Sequence, residues 1–292
     1  MKNIIALVTL YNPDCKVIRN INQLSSQVSS VILSDNTPNK DNAVIFKDIK
    51  NILYFPNYEN LGLSSAFNKC LKLEITRKSD YLIFFDQDSL IPNNYIKKLV
   101  SDFDYISSKI KVGIVGPQYF DINKNKIVEL PKKNKNIGNG FFEVSEVITS
   151  SMITKYEILE KVDFWNDSVF LDYADFDLCW RLKNKGFSIC QDTNILLNHS
   201  LGKNSKSMFL PIKNKRVLQS YWIPIRYYYQ TRESVKLFWK RYVPRQWKKN
   251  FFIHNTVEIL MHLYYLPQKR NRLKYFFKGF IDGMLGKNGE YK

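Results

Sequence analysis

Two carboxylates one residue apart, Asp86 and Asp88, close the apolar run Tyr81-Leu82-Ile83-Phe84-Phe85. A short, β-prone run of this kind reads as a buried strand. Residues i and i+2 of an extended segment point to the same side, so both acids can converge on one cation. Two acids at the end of a buried strand are costly without a positive partner. Oxygen donors of this kind suit Mg²⁺ or Mn²⁺ carrying a phosphorylated ligand. A second acidic group is Asp172-Tyr173-Ala174-Asp175-Phe176-Asp177. The residues after it read as a helix ending at Gly186, which places Asp175 at the helix start. There the dipole is expected to lower its pKa, giving an ionised base able to take a proton from a hydroxyl. Plain N-terminal capping by Asp172 or Asp175 explains the same residues without chemistry. His199 follows a strand-like segment, where a lone histidine is more often structural. Beside a metal-binding Asp-x-Asp pair it becomes a third ligand.

The elements that must position these groups alternate in type. Residues 3–10 read as a strand, broken by Tyr11-Asn12-Pro13-Asp14, and a helix follows over about 14–26. Val31-Ile32-Leu33 is a second strand, ending in the turn sequence Ser34-Asp35-Asn36-Thr37-Pro38. Ile52-Leu53-Tyr54-Phe55 is a third, and a loop runs from Pro56 to Gly62. Leu63, Ala66, Phe67, Cys70 and Leu71 then recur with helical spacing. The Asp86 strand comes fourth, before a helix near 93–107 and a strand at Val112–Val115. This alternation predicts an α/β fold with a mostly parallel sheet, ligands binding beyond the carboxyl ends of its strands. The loops at Tyr11-Asn12, Asp35-Asn36 and Asp86-Gln87-Asp88 are therefore expected along one sheet edge. Beyond residue 116 the hairpin-like segments 121–126 and 132–140 predict an irregular, partly antiparallel second half.

The chain has 292 residues, 45% of them hydrophobic, which suffices for one large domain or a core with an appendage. The four cysteines lack metal spacing and are expected to be reduced and buried in a cytosolic protein. The N-terminal apolar run is too short for a signal peptide, and no run is long enough to span a bilayer. Charge divides the chain. Residues 203–292 hold 20 Lys and Arg against 4 Asp and Glu, whereas residues 1–202 hold 24 against 23. A boundary is expected near Gly202, between a nearly neutral domain (1–115 and 116–202 as its two halves) and a basic region over 203–292. Pro211, Pro224, Pro244 and Pro267 are expected to divide the basic region into short helices. One helix would present Leu273, Phe276, Phe277, Phe280 and Ile281, surrounded by Arg270, Arg272, Lys274 and Lys278. Trp239, Lys240, Arg241, Tyr242, Arg245, Trp247, Lys248 and Lys249 add interfacial aromatics and cations. This mixture suits an anionic membrane surface. No nucleic-acid motif accompanies the charge, so nucleic acid is not expected as a partner.

The order strand–Tyr11-Asn12-Pro13, Ser34-Asp35-Asn36, Glu59-Asn60-x-Gly62, Phe84-Phe85-Asp86-x-Asp88-Ser89, Asp172-x-x-Asp175-x-Asp177-x-x-x-Arg181 and a late His199 resembles the inverting glycosyltransferases of family 2. The strings around 85–89 and 170–175 are most similar to the bacterial rhamnosyltransferase branch. The resemblance covers about residues 3–202, and weakly Arg226-Tyr227-Tyr228-Tyr229-Gln230-Thr231-Arg232. It implies the GT-A nucleotide-diphospho-sugar transferase fold, with a C-terminal basic helical region appended. It also implies the substrates: a dTDP- or UDP-linked donor, most closely dTDP-rhamnose, and a saccharide or polyprenyl-pyrophosphate-linked acceptor. O-antigen or capsule synthesis at the inner face of the cell membrane follows from the same resemblance. A UDP-hexose or UDP-galactofuranose is the alternative donor. By the resemblance Thr9, Tyr11 and Asn12 line the base pocket and Asp35 accepts from the base. Asn60 and Gly62 open a loop beside ribose and phosphates. Asp88 binds Mg²⁺ or Mn²⁺ directly, Asp86 contacts ribose or metal-bound water, and His199 completes the site. Asp175 is the base, with Asp172 left open as sharing or taking that role, and Arg181 steadies the helix or the donor. Thr149, Ser150 and Ser151 shape the sugar and acceptor pocket. The chain departs from the family pattern at Ala66 and Ser151, where glycine is common, and at Ala174, where an acid is common.

Two other classes remain as alternatives. Haloacid-dehalogenase-like phosphatases also end an apolar strand in Asp-x-Asp, but at the first strand rather than the fourth. A non-catalytic membrane-binding scaffold would account for the basic region alone.

Overall fold

The structure, a computed structural model, describes residues 2–128, 134–199, 204–210 and 214–291. In its first half, strands and helices alternate as the sequence spacing predicts. They are β1 (Ile4–Leu10), α1 (Cys15–Ser25), β2 (Ser30–Asp35), β3 (Ile52–Pro56), α2 (Gly62–Leu71), α3 (Glu74–Arg77), β4 (Tyr81–Asp86), α4 (Tyr95–Ser107) and β5 (Val112–Asp121). The Asp14 side chain caps α1 by accepting from the Lys16 amide at 2.9 Å. The second half contains β6 (Lys126–Ile127), β7 (Lys135–Gly138), β8 (Phe141–Val144), β9 (Met152–Thr154), α5 (Tyr156–Glu160), α6 (Ala174–Asn184) and β10 (Ser188–His199).

The main sheet runs β3-β2-β1-β4-β9-β5-β10-β8-β7, with β6 on β5. Strands β1, β2, β3 and β4 are mutually parallel, and β10 is parallel to β5. Strand β9 lies antiparallel to both β4 and β5. The sheet is therefore mixed, with a parallel core. Apart from the half-buried Ile4, the apolar residues of β1, β2 and β4 are buried, consistent with helices on both faces. Register aligns Thr9 with Asp86 and Leu10 with Asp35, so the loops after β1, β2 and β4 do share one edge.

The basic region departs from the expected short helices. Its first part is a hairpin of β11 (Asn204–Leu210) and β12 (Lys215–Tyr221), antiparallel to each other. Neither strand, Asn-Ser-Lys-Ser-Met-Phe-Leu nor Lys-Arg-Val-Leu-Gln-Ser-Tyr, has the period-two alternation that marks a strand in sequence. Helices follow, but they are long: α7 (Ile225–Phe238), α8 (Arg245–Tyr265) and α9 (Lys269–Met284). Pro224 and Pro244 do stand at the starts of α7 and α8. Pro211 and the expected boundary at Gly202 lie outside the described residues. Helix α9 packs closely on α7, because a Cβ at Gly279 would come within 2.5 Å of the Tyr228 carbonyl oxygen.

Three expectations about individual side chains are corrected. Cys15 is exposed, unlike the other three cysteines, because it opens α1 on the solvent side. Arg272 does not ring the apolar face of α9. It is buried, donating to the carbonyls of Pro267 and Trp222 at 2.9 and 3.0 Å and lying over the Tyr227 ring. Tyr242 and Trp247 pack inward against α6. The Tyr242 hydroxyl donates to Asp177 at 2.5 Å, and Trp247 meets the rings of Tyr173 and Trp180 edge-on.

Candidate functional site

Strand β4 delivers Asp86 and Asp88 to the carboxyl edge of the sheet, and β10 delivers His199 from two strands beyond β9. Among the described residues, one ligand atom each from Asp86, Asp88 and His199 lies within 4.8 Å of the others. Two carboxylate oxygens and an imidazole nitrogen form a donor set that fits a divalent cation such as Mg²⁺ or Mn²⁺. His199 sits opposite Asp121 in the parallel β5–β10 ladder, and its ring meets Tyr119 edge-on at 6.2 Å. The long strand β10 thus carries a C-terminal histidine across the sheet to a pair of acids 111 and 113 residues earlier in the chain.

The residue between the acids is not a spacer. Gln87 Oε1 accepts from the Tyr11 amide at 2.8 Å, and Gln87 Nε2 donates to the Tyr11 carbonyl at 3.3 Å. The loops after β1 and β4 are thereby stitched together. Nothing in the local sequence marks Gln87, which occupies the x of Asp-x-Asp and whose Tyr11 partner is 76 residues away. Asn12, at φ 47°, donates its amide to Thr37 Oγ1 at 2.8 Å, joining the β1 loop to the β2 loop.

Asp35 is fully buried, and each of its oxygens accepts two hydrogen bonds. Oδ1 takes the Thr37 amide and hydroxyl at 2.9 and 2.6 Å; Oδ2 takes Asn42 Nδ2 and the Tyr54 hydroxyl at 2.8 and 2.7 Å. All four lone-pair positions are used within the protein. A direct bond from Asp35 to a nucleobase requires one of these four partners to be given up.

Segment 149–151 turns between the acids. Ser150 Oγ donates to Asp86 Oδ2. Ser151 stands at φ 68°, which explains why glycine suits this position. Its amide donates to the Phe84 carbonyl at 2.7 Å, and its hydroxyl accepts from Tyr95 at 2.8 Å. The Thr149 amide and hydroxyl donate to Asp175 Oδ2 at 3.2 and 3.4 Å. Thr149–Ser151 therefore bridges the Asp86 and Asp175 groups directly.

Asp175 lies in the first turn of α6, as the sequence predicts, but the expected pKa is reversed. Burial pushes it up to about 7, overcoming the opposing hydrogen bond from the Phe176 amide, and the charge of Asp86 adds to the rise. The helix start is real; loss of water around a half-buried carboxyl packed among protein atoms outweighs it. A carboxylate of that basicity is better matched to accepting a proton near neutral pH. Asp172 does not cap α6, whose N-cap is Tyr173 at φ 66°. It pairs with Arg226 of α7, whose Nη2 donates to Oδ1 at 2.5 Å. Burial raises the Asp172 pKa, and the Arg226 charge opposes that rise.

Arg181 steadies α6 rather than reaching the acids. Its Nε donates to Asp177 at 2.7 Å and Nη1 to the carbonyls of Val162 and Phe164 at 2.5 and 2.7 Å. It also lines a cavity of about 580 Å³ between α2 and residues 162–168, which none of the clustered acids lines. A second cavity, about 380 Å³, is lined by Tyr119, Glu146, Ile148, Phe176 and Gln191, the sequence neighbours of Thr149 and Asp175 among them.

On the loop after β3, Asn60 Oδ1 accepts from the Gly62 amide at 3.1 Å. Gly62 has φ 76°, and a Cβ there would lie 2.3 Å from the Phe170 carbonyl oxygen. The Leu63 amide donates to that same oxygen at 2.6 Å. The glycine thus brings the 57–62 loop against the segment leading to Asp175.

Comparison with known proteins agrees with this architecture. The chain is 28% identical over 304 aligned positions to "dTDP-rhamnosyl transferase RfbF" of Shigella flexneri, covering 98% of this chain and 97% of that protein. Among solved structures, GalNAc-T7 with UDP, GalNAc and Mn²⁺ superposes with a TM-score of 0.57 at 12% identity, over 87% of this chain and 55% of that one. S. aureus TarS superposes with a TM-score of 0.52 at 12% identity, over 97% of this chain and 49% of that one. The chain spans about half the length of each of these two structures, and the likeness to them is one of fold. The profile of Glycosyl transferase family 2 matches residues 6–163. That match displaces the phosphatase and scaffold alternatives. This chain belongs to glycosyl transferase family 2, with a GT-A-like fold, and is a glycosyltransferase.

Proposed function

We propose that the enzyme transfers a rhamnosyl group from dTDP-rhamnose, with inversion, to a saccharide or polyprenyl-pyrophosphate-linked acceptor in O-antigen or capsule synthesis. The observation that carries the reading is the juxtaposition of the Asp86–Asp88–His199 donor set with the half-buried Asp175, bridged by Thr149–Ser151. Near full-length similarity to a dTDP-rhamnosyl transferase supports the choice of donor.

Asp86, Asp88 and His199 are the residues that would hold Mg²⁺ or Mn²⁺. Bound there, the cation supplies positive charge to the diphosphate of the donor. Thr9, Tyr11 and Asn12 lie at the carboxyl end of β1, where the nucleoside would rest, and Asn60 and Gly62 border the donor on the β3 side. Asp175 accepts the proton of an acceptor hydroxyl as that oxygen attacks the anomeric carbon. The bond from the anomeric carbon to the diphosphate breaks from the opposite face, its electron pair leaving with dTDP. One displacement inverts the configuration and needs no covalent enzyme intermediate. The 380 Å³ cavity beside Ile148 and Phe176 provides room for an acceptor.

Among the described residues no helix is long and apolar enough to cross a membrane. The outer face of α9 instead exposes Leu273, Phe277, Phe280, Ile281 and Met284, at helical spacing and beside Arg270 and Lys274. An apolar stripe bordered by cations suits peripheral binding at an anionic inner membrane face, where a lipid-linked acceptor resides.

The test is a panel of nucleotide-sugars with Mg²⁺ or Mn²⁺, scored by shift in melting temperature and by transfer to a synthetic lipid-pyrophosphate saccharide. The expected result is a shift and turnover with dTDP-rhamnose. A response to UDP-hexose or UDP-galactofuranose with none to dTDP-rhamnose would replace the donor assignment.

A further inference from the structure

The segment following α9 returns to the donor edge of the sheet and closes a ring of contacts. Glu290 Oε1 accepts from Asn60 Nδ2 at 3.1 Å, and Asn60 in turn holds the Gly62 amide. Gly62 and Leu63 lie on the Phe170 carbonyl. The Phe170 ring stacks on Tyr229 of α7, with centroids 4.9 Å apart and planes 17° from parallel. The Tyr229 hydroxyl accepts from the Tyr291 amide at 3.1 Å, and Tyr291 is the residue after Glu290.

Arg232 stands inside this ring. It is fully buried, paired with the equally buried Glu233, and its Nη1 donates to the Gly289 carbonyl at 2.7 Å. Its guanidinium also lies over Phe170, Tyr228 and Tyr229, within 5.8 Å of each ring. One buried cation thus touches the C-terminal segment, α7 and the residue that begins the Phe170–Asp175 stretch. Burying an ion pair is expensive and is weak evidence of stabilisation by itself. Here its planar donors fix the relative position of three chain segments.

We propose that residues 286–291 form a clamp that positions loop 57–62 against segment 170–175, with Glu290 and Arg232 as positioning residues for donor binding. The donor role of the loop rests on the function proposed above; the mechanical clamp does not. Neither residue touches the reacting atoms. Glu290 acts through Asn60, and Arg232 acts through Gly289 and Phe170.

The test measures amide hydrogen exchange and donor kinetics on the full chain. Glu290 is exposed, so Glu290→Ala is expected to fold as the parent does. Loss of one hydrogen bond should speed exchange at Gly62 and Leu63 by about two- to tenfold and raise the donor KM by a similar factor, with kcat held within about twofold. Glu290→Gln keeps an acceptor and should restore both. Arg232→Lys keeps the charge but not the fork, and should loosen 62–63 and 170–172 together. Should it fail to fold, the Glu290 pair still decides the question. Unchanged exchange at 62–63 in Glu290→Ala overturns the clamp, and faster exchange with an unchanged donor KM overturns its role in donor binding. If the parent turns over no nucleotide-sugar, the functional reading fails while the exchange result still judges the clamp.

Discussion

Arg226 donates to Asp172 at 2.5 Å, and this pair separates the two acids that the sequence left as rival bases. Asp172 serves as the anchor of α7, whereas Asp175 accepts from Thr149 and lies close enough to Asp86 to feel its charge. Asp175→Asn should lower kcat by about 10²–10⁴ while leaving a folded protein. Asp172→Asn should instead lower the melting temperature, by about 1–3 kcal/mol of stability, less than for a fully buried pair because Arg226 keeps part of its surface in water. Turnover and thermal denaturation of both variants check the split. Loss of turnover in Asp172→Asn at unchanged stability would assign it the chemistry.

The raised pKa of Asp175 gives a pH dependence with opposite signs for activity and stability. Its carboxyl is neutral in the fold until pH approaches about 7, against an ordinary value of 3.8. With Asp175 as the proposed base, activity should rise as pH increases through 7 and its carboxyl ionises. Its contribution to stability is full below about pH 4 and is lost as pH climbs from there to about 7. Asp175→Asn should flatten that part of the stability profile. A cation beside Asp86 offsets one cause of the shift, so the activity limb should move to lower pH when Mg²⁺ or Mn²⁺ is raised. A pH–rate profile at two metal concentrations measures it.

The metal assignment makes a separate prediction. Asp88→Ala and His199→Ala should each abolish or strongly weaken the shift in melting temperature that Mn²⁺ produces with dTDP present. Neither should unfold the chain, because Asp88 lies in the turn after β4 and His199 at the last position of β10. Calorimetric titration of Mn²⁺ into the dTDP-loaded protein supplies the affinities, and an unaltered affinity in His199→Ala would remove the histidine from the site.

Gly62→Ala tests the backbone contact between loop 57–62 and Phe170. The added methyl meets a carbonyl oxygen at 2.3 Å in a left-handed conformation, so a loss of stability of about 1–3 kcal/mol is expected. Donor KM should rise with it, since the loop cannot keep its place. A neutral result in urea denaturation would contradict the close approach.

Membrane association should depend on α9. Phe277→Ser with Ile281→Ser removes two side chains that are 58% and 53% exposed, so the fold should persist. Sedimentation with anionic vesicles should fall by at least about tenfold for the double variant, and should weaken with added salt for the parent. Equal binding to neutral and anionic vesicles would discount the role of the surrounding cations.

The parallel half of the sheet was legible in the sequence because its strands are apolar throughout and its turns carry Asp, Asn, Pro and Gly. A strand buried on both faces has no alternative reading once its neighbours alternate with amphipathic helices. Asp86 and Asp88 were legible for the same reason, since period-two geometry is local. Gln87, Arg226, Arg232 and Glu290 were not, because the contacts that give them their place, to Tyr11, Asp172, Gly289 and Asn60, each reach 54 or more residues along the chain. The pKa of Asp175 shows the division most sharply. Its place in the first turn of α6 was written in the local pattern, and the helix dipole argued for an acidic group. Only the tertiary structure, by closing protein around the carboxyl and setting Asp86 nearby, decided the opposite sign, because desolvation depends on everything that surrounds a charge.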